Sequence, residues 1–561
     1  MKQKSLLLIA LTLVLSLFLA ACSSNNTGTN NATNNNNNAA ANNNNNSGDK
    51  EEEPASDEPV AGGDLVIGSS GNPTLFNTLY SADTASSAIE GFVYDSLVGG
   101  NTEFEPELAM AASWEPSEDG LVHTIKLRDD LKFHDGEAVT AEDVKFTFEI
   151  PLSEDYDGPR ASSFEKIESV EIVDDLTVKF TLSAVAPDFH ITLSYGILPQ
   201  HILGDVPVAE MGEHEFNRAP IGSGPFKFVE WVDGQYVKVE AFDDYYLGRP
   251  YLDTLTYKIV TDGDQLLTQL STGDVQFTTV PSTDLETVKE WEGQGKLKIE
   301  SGLALSYTYL GYNLRNPLFQ DVSVRQALTH AIDRETIVSS VMNGDGEVAH
   351  FPESPLSWAY DDSETPKFEY DPEKAKEMLA AAGWKAGSDG ILEKDGQKFS
   401  FELKTNQGNK VREDIAVVVQ QQLKEVGIEV KPNIMEWSAF LADVNPPAWK
   451  FDAIILGWSL GTDPDPSGIF HSKEIEEGLN FINYSNPEAD ELMDKNLSTM
   501  DQEERKGYIV EVNNIIAEEQ PYTFLYYPNV HRAMPANLEG YTFHAKSDFY
   551  KINEWWLKPA N

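Results

Sequence analysis

The stretch that most constrains the fold is residues 451–466, which read F-D-A-I-I-L-G-W-S-L-G-T-D-P-D-P. Its first part, Ala453-Ile-Ile-Leu456, is an apolar run typical of a strand buried on both faces, and such a strand needs cover from both sides. The run breaks at Gly457-Trp458, where a glycine allows something to approach the backbone closely. Two Asp-Pro pairs follow, and each proline fixes φ and removes a backbone donor. The stretch predicts one wall of a ligand cleft.

The charge balance excludes one large class of partner. The chain of 561 residues is long enough for two or three compact units. It carries 92 Asp and Glu against 41 Lys and Arg, whereas a nucleic-acid-binding protein needs a basic surface. The acidity indicates either an extracellular protein in salty or alkaline surroundings or a cationic ligand.

The N-terminus has the organisation of a signal peptide over residues 1–21. Lys2 and Lys4 precede an apolar run, and small residues lead to Cys22. The run is shorter than the roughly 20 residues that a spanning helix needs. Leu-Ala-Ala-Cys22 resembles the lipobox of bacterial lipoproteins, in which the cysteine is lipidated and becomes the first residue. Cys22 is the only cysteine, so no disulfide can form within the chain. We therefore expect a lipid anchor in the cell membrane, with the protein on the extracytoplasmic face.

Residues 22–62 predict a disordered tether. They contain two asparagine runs, at 34–38 and 42–46, followed by a mostly acidic run at 49–53. Almost nothing in this segment can be buried, so it should not join a core.

From residue 63 onward, helix and strand patterns alternate, which predicts an α/β body. Residues 121–127 alternate at period two, as a half-buried strand does. Thr140, Asp321 and Asp371-Pro372 each precede a helical apolar stripe. Asp395-Gly396 between two apolar runs predicts a hairpin.

A series of motifs runs through residues 63–561 in a fixed order. They are L-A-M-A-A-S-W (108–114) with Asp119-Gly120, F-H-D-G (133–136) with T-A-E-D-V (140–144), P-I-G-S-G-P-F (220–226), D-V-S-V-R-Q-A-L (321–328) with A-I-D-R (331–334), D-P-E-K-A (371–375), Gly383-Trp384, Gly457-Trp458 with D-P-D-P (463–466), and Asn486-Pro487. Together they resemble the extracytoplasmic solute-binding proteins that feed oligopeptide ABC transporters, the peptide/nickel class.

The resemblance implies a two-lobed, periplasmic-binding-protein-like clamshell of type II. Lobe I would comprise residues 63–305 and 530–561, with an extra subdomain inserted at about 99–215, and lobe II residues 306–529. The resemblance further implies a monomeric receptor, not an enzyme, that captures oligopeptides between the lobes as an added strand and delivers them to the permease subunits of an ABC importer. No cofactor or metal is implied.

The resemblance also indicates site residues. In the family, a carboxylate just after the Gly-Trp strand binds the peptide α-amino group, but here Leu460-Gly461 stands at that place. Asp463 and Asp465 come next, with Asp463 slightly favoured, unless both only cap a turn before a helix. The other candidates are Trp458, which stacks on ligand or fills the core, the backbone groups of the segment after it, the loop on the facing lobe, and two residues near the crossover: Ser459, Leu460, Gly461, Ser69, Ser70, Phe76, Tyr312 and Asn313.

Other readings are weaker. Asp463-x-Asp465-x-Ser467-Gly468-x5-Glu474 has the spacing of a calcium loop, but two prolines interrupt it and a strand precedes it. His471 alone does not make a nickel site. A lipoprotein hydrolase is disfavoured because the chain has no His-Glu-x-x-His motif, and Ser163-x-x-Lys166 is an isolated match. The same fold with another solute, a nickel chelate or an oligosaccharide, remains the alternative.

Overall fold

The computed structural model describes residues 58–476 and 478–559, with Ser438 described by its backbone only. The signal peptide, Cys22 and most of the predicted tether lie outside these residues. Among the described residues, no helix is both long and apolar enough to cross a bilayer.

The secondary structure mixes strands and helices throughout, as the alternating patterns predict. The strands, in chain order, are β1 Asp64–Ser69, β2 Val98–Gly100, β3 Pro106–Leu108, β4 Ala111–Pro116, β5 Val122–Leu127, β6 Ile167–Asp174, β7 Thr177–Leu182, β8 Phe226–Val232, β9 Tyr236–Ala241, β10 Thr254–Ile259, β11 Thr278–Val280, β12 Leu297–Leu303, β13 Ser306–Tyr312, β14 Gly346–Val348, β15 Lys385–Ala386, β16 Leu392–Lys394, β17 Gln397–Lys398, β18 Ser400–Asn406, β19 Glu429–Met435, β20 Ala453–Ser459, β21 Tyr522–Pro535, β22 Leu538–Glu539 and β23 Trp556–Leu557. The helices are α1 Thr84–Val93, α2 Ala141–Glu149, α3 Ala161–Phe164, α4 Phe189–Thr192, α5 Gln200–Leu203, α6 Val208–Met211, α7 Gly263–Thr272, α8 Leu285–Gly293, α9 Val322–His330, α10 Arg334–Thr336, α11 Pro372–Ala381, α12 Lys410–Glu425, α13 Trp437–Val444, α14 Ser467–Phe470, α15 Pro487–Leu497 and α16 Gln502–Glu519.

The helix starts that the capping residues predict are confirmed. Thr140 and Asp143 form a capping box at α2. The Asp321 carboxylate accepts from the Ser323 amide at the start of α9, and Asp371 caps α11. The predicted hairpin is also present, because Asp395 and Gly396 both have positive φ and join β16 to β17.

Three sheets carry the body. One has the order β1-β10-β9-β8, with β1 parallel to β10. A second, β4-β5-β7-β6, is antiparallel and lies within the part of the chain predicted to be inserted. The third is eight-stranded, with the order β11-β21-β13-β20-β18-β19 and with β12 and β14 also paired to β21.

The buried side chains form separate cores around these sheets. The first core joins the β1-containing and β4-containing sheets to the end of the chain, including Met534 and Trp555. Two more cores lie on opposite faces of the eight-stranded sheet. We call the part around the first core lobe I and the part around the other two lobe II.

The strand β20 lies between the two lobe II cores. Ala453 and Ile455 belong to one core, and Ile454 and Leu456 to the other. The first three are fully buried and Leu456 is nearly so. The prediction that this strand is covered on both faces is therefore confirmed.

Candidate functional site

The end of β20 presents an open edge to the solvent. On one side β20 pairs with β13 along its whole length, from Tyr312↔Ala453 to Ser306↔Ser459. On the other side, its pairing with β18 stops at Ile454. The Thr405 hydroxyl of β18 still donates to the Ile455 carbonyl at 3.0 Å, so β18 makes no pairing contact with β20 only beyond that residue. Alternate backbone groups of an antiparallel strand point away from its partner, so the end of β20 offers hydrogen-bonding groups on this side. Ser459 is exposed there.

Trp458 is held in place by other aromatic rings. It lies parallel to Tyr309, with centroids 6.3 Å apart, and at 5.5 Å from Phe481. Its indole Nε1 is 3.5 Å from the Tyr522 hydroxyl. Trp458 stays half-buried, so its ring both fills the edge of a core and forms part of the surface beside the open strand edge.

The loop after β1 begins at the surface and ends in the core of lobe I. Ser69 accepts hydrogen bonds from the Tyr257 hydroxyl at 2.7 Å and the Gly71 amide at 3.1 Å, and Ser70 is exposed. Phe76, in contrast, is fully buried, with its ring 4.7 Å from that of Trp231. The ring of Phe76 therefore belongs to the lobe I core, and its place in a cleft wall stays a prediction.

The two candidates near the crossover are also structural. Tyr312 is fully buried, and its hydroxyl lies 2.7 Å from that of Thr523. The Asn313 amide donates to the Phe451 and Trp449 carbonyls at 2.8 and 3.3 Å. Both side chains are bonded within the core of lobe II, and a role for them in ligand binding stays a prediction.

The two acids after β20 are occupied by protein partners. Both Asp463 oxygens accept from Arg505 Nη2, at 2.7 and 2.8 Å, and the two side chains are only 8% and 5% exposed. Asp465 accepts from the Ser467 hydroxyl and amide and from the Asn496 amide group. Burial raises the pKa of both carboxyls, and Arg505 opposes the rise at Asp463. In this structure both carboxylates are bonded to protein groups, and Asp465 caps the turn before α14, so the amino-anchor role stays a prediction that would need one of them to change partner.

A third acid, which the sequence reading missed, lies close to these two. Glu353 is almost fully buried, and burial, together with the nearby Asp463 and Asp465, raises its pKa to about 8. The described residues contain no group of three or more His, Cys, Asp or Glu that could hold a metal ion. His471 lies against Asp490 and Asp494, so it belongs to a local polar cluster.

A cavity of about 790 Å³ lies against lobe I and extends to Thr462 of lobe II. Its walls come from α1, α4, the β2–β3 hairpin, the loop after β9 and the C-terminal tail. Glu90 and Arg160 bring opposite charges to it, and burial raises the pKa of Glu90 to about 7. Tyr245 and Tyr246 both donate to Asp95 at 2.9 Å. These residues come from distant segments without a shared motif, so no sequence signal marked them.

The two lobes contact each other around this cavity. Lys546, from the C-terminal tail, donates to the Leu460 carbonyl at 2.7 Å. A Cβ built on Gly120 would lie 3.1 Å from Met500 Cγ, so these segments pack closely. His190 of α4 lies near enough to Asp463 for the carboxylate to oppose the lowering of the histidine pKa by burial. The two lobes thus contact each other at these points.

This architecture matches a known family. The family model of bacterial extracellular solute-binding proteins, family 5 (middle) matches residues 105–474. The chain belongs to this family. Its members are binding proteins rather than enzymes, and the two-lobed α/β fold of type II that the sequence predicts is confirmed.

Individual relatives extend the match over most of the chain. The chain is 54% identical to the oligopeptide-binding protein AppA of Bacillus subtilis over 508 residues, which is 90% of this chain and 93% of AppA. The structure of AppA in complex with a nonapeptide superposes with a TM-score of 0.75, covering 89% of this chain and all of that one. NikZ of Campylobacter jejuni, solved in complex with Ni(L-His), is 30% identical, with a TM-score of 0.76 and coverage of 88% and 99%.

Proposed function

We propose that the protein is a monomeric, membrane-anchored extracytoplasmic receptor that captures oligopeptides between its lobes and delivers them to the permease of an ABC importer. The observation that carries the proposal is the 54% identity to AppA along 90% of the chain. The complex of that relative with a nonapeptide supports peptides of this length as the first ligands to test.

The open edge of β20 supports the same ligand class. An extended peptide can add as a strand to an unpaired edge, and its main chain then supplies most of the affinity. Within the described residues no strand pairs with β20 on the β18 side beyond Ile454, whereas β13 occupies the other side. Main-chain recognition tolerates many side chains, which suits a receptor for varied peptides.

The anchoring half of the proposal depends on the N-terminal sequence. The signal-peptide pattern, Cys22 after Leu-Ala-Ala, and the asparagine-rich segment that follows support a lipid anchor with a spacer. A spacer of this composition would keep the binding body away from the bilayer without contributing to the cleft.

The experiment is calorimetric titration of protein that starts at residue 63 with nonapeptides, with mass spectrometry of whatever copurifies. We expect one peptide bound per chain and the same affinity in protein that keeps residues 23–62. Ni(L-His) is the second titrant, because of the similarity to NikZ. Binding of the nickel chelate without binding of any peptide would overturn the proposal in favour of a metal-chelate receptor.

A further inference from the structure

The C-terminal tail holds a lysine whose charge has no acidic partner within residues 58–476 and 478–559. Lys546 Nζ donates to the Leu460 carbonyl at 2.7 Å and lies 3.4 Å from the Ser459 hydroxyl. No ion pair involves it, although the chain has an excess of 51 negative charges. An ammonium group has three donors, so this one keeps bonding capacity beyond its one short contact.

The loop that carries Lys546 is fixed in position. His544 Nδ1 accepts from the backbone amides of Lys546 and Ser547 at 3.1 and 3.0 Å. Its other nitrogen, Nε2, donates to the Asn101 carbonyl at 3.1 Å. Burial lowers the pKa of His544, which favours the neutral ring that this pattern requires. The backbone of the lysine is therefore ordered before any ligand arrives.

The position of Lys546 is the end of the proposed peptide strand. Ser459 ends β20 and Leu460 follows it, beyond the last residue that pairs with β18. Thr462, His544 and Ser547 border the large cavity beside them. The Lys546 side chain remains exposed, yet nearby protein lowers its pKa by partial desolvation. A cation in such surroundings gains more from an anionic ligand than a fully solvated one does.

The nearby carboxylates do not compete for this lysine. Asp463 is committed to Arg505, and Asp465 to Ser467 and Asn496. A positive charge, rather than a free carboxylate, therefore faces this end of the strand, and a peptide α-amino group there would be repelled. A carboxylate would be attracted, and it needs to displace only the weak 3.4 Å contact with Ser459.

From these contacts we propose that Lys546 binds a carboxylate of the peptide at the Ser459–Leu460 end of β20, so that the site selects an acidic group there. This inference rests on the proposed peptide-binding function. The carboxylate is either the C-terminus of the peptide or an Asp or Glu side chain, since both present the same two oxygens.

The test is calorimetric titration of wild type, Lys546→Met and Lys546→Arg with matched nonapeptides. One pair lacks acidic side chains and has either a free or an amidated C-terminus. A second series is acetylated and amidated, with a single Glu or Gln placed at successive positions. Lys296→Met is the control, because Lys296 is exposed in the turn before β12 and its loss changes the net charge equally.

We expect wild type to prefer one carboxylate peptide over its amide by about ten- to hundredfold, the range of a hydrogen bond to a charged group. Lys546→Met should lose that preference, while Lys546→Arg and Lys296→Met keep it. The pair that shows the preference identifies the source of the carboxylate.

Two outcomes would overturn the inference while leaving peptide binding intact. One is that the wild-type protein binds each acidic peptide and its amide with the same affinity. The other is a Lys546→Met variant that weakens acid and amide peptides equally, because the lysine would then only hold the lobes together. A wild type that binds none of the peptides would instead refute the proposed function itself, and this inference with it.

Discussion

The ion pair between Asp463 and Arg505 offers the most direct test of whether the acids after β20 stabilise the fold rather than bind the ligand. In the variant Arg505→Met, the Asp463 carboxylate loses both of its 2.7–2.8 Å bonds while it stays in a site where it is 8% exposed. Removing one partner of a buried ion pair costs about 3–5 kcal/mol, because the remaining charge is left uncompensated. Arg505 also donates a hydrogen bond to Asn496, so the loss of unfolding free energy should not be smaller than this range.

The assay is differential scanning calorimetry of the unfolding of lobe II. For a unit of 150–250 residues, about 3–5 kcal/mol corresponds to a fall in Tm of about 6–20 °C. The double variant Arg505→Met/Asp463→Asn should recover part of the loss, because it removes the unpaired charge. Lys376→Met is the matched control, since its ion pair with Glu373 is exposed and should be worth less than about 1 kcal/mol.

Binding gives the second readout of the same variants. Asp463→Asn should change the affinity for free and for N-acetylated peptides by the same factor, because the carboxylate already belongs to Arg505. A Tm within about 2 °C of wild type for Arg505→Met, or a loss confined to peptides with a free amino group for Asp463→Asn, would refute the structural role and restore the amino-anchor function.

Three further predictions concern other parts of the chain. Cys22→Ala should move the protein from the membrane fraction to the medium; unchanged membrane retention would contradict lipidation. Asn313→Ala removes the side-chain donor to the Phe451 and Trp449 carbonyls and should lower the free energy of unfolding by about 1–3 kcal/mol. Urea titration measures this difference, and a variant as stable as wild type would contradict the prediction. The folded-state pKa of Glu353 is about 8, against an ordinary value of 4.5, so between these values the folded state holds a proton that the unfolded state releases. The free energy of unfolding should therefore fall by about 1.4 kcal/mol per pH unit as the pH rises from 5 to 8. Glu353→Gln should flatten this slope, and an unchanged slope would place the proton elsewhere.

The sequence predicted the elements well because their determinants are local. A cap such as Thr140 or Asp371 acts on amides three residues away, and the apolar run in β20 specifies burial by its own composition. These interactions do not depend on where other segments lie.

The partners of the charged residues beside β20 were not predicted, because these residues are paired through the tertiary fold. Asp463 meets Arg505 from 42 residues further along the chain, and Lys546 meets Leu460 across 86 residues. Neither pairing leaves a local pattern. The family resemblance assigns Asp463 to the ligand and does not indicate Lys546, whereas the apolar pattern correctly identifies β20 as a strand buried on both faces.

The strand β21 indicates where the two lobes can move against each other. Its residues from Tyr522 to Tyr526 pair with β13 of lobe II, and those from Asn529 to Pro535 pair with β12. Pro528, between the two paired parts, lacks the N–H that would continue the ladder. The Ala304 amide donates to the Pro528 carbonyl at 2.9 Å, next to the short link between β12 and β13. We expect a rotation of the lobes to be absorbed at these two points, although β14 also pairs with β21 from Tyr526 to Pro528 on its other edge. The Lys546–Leu460 bond joins the tail beyond this crossing to lobe II, so we expect opening of the lobes to break it.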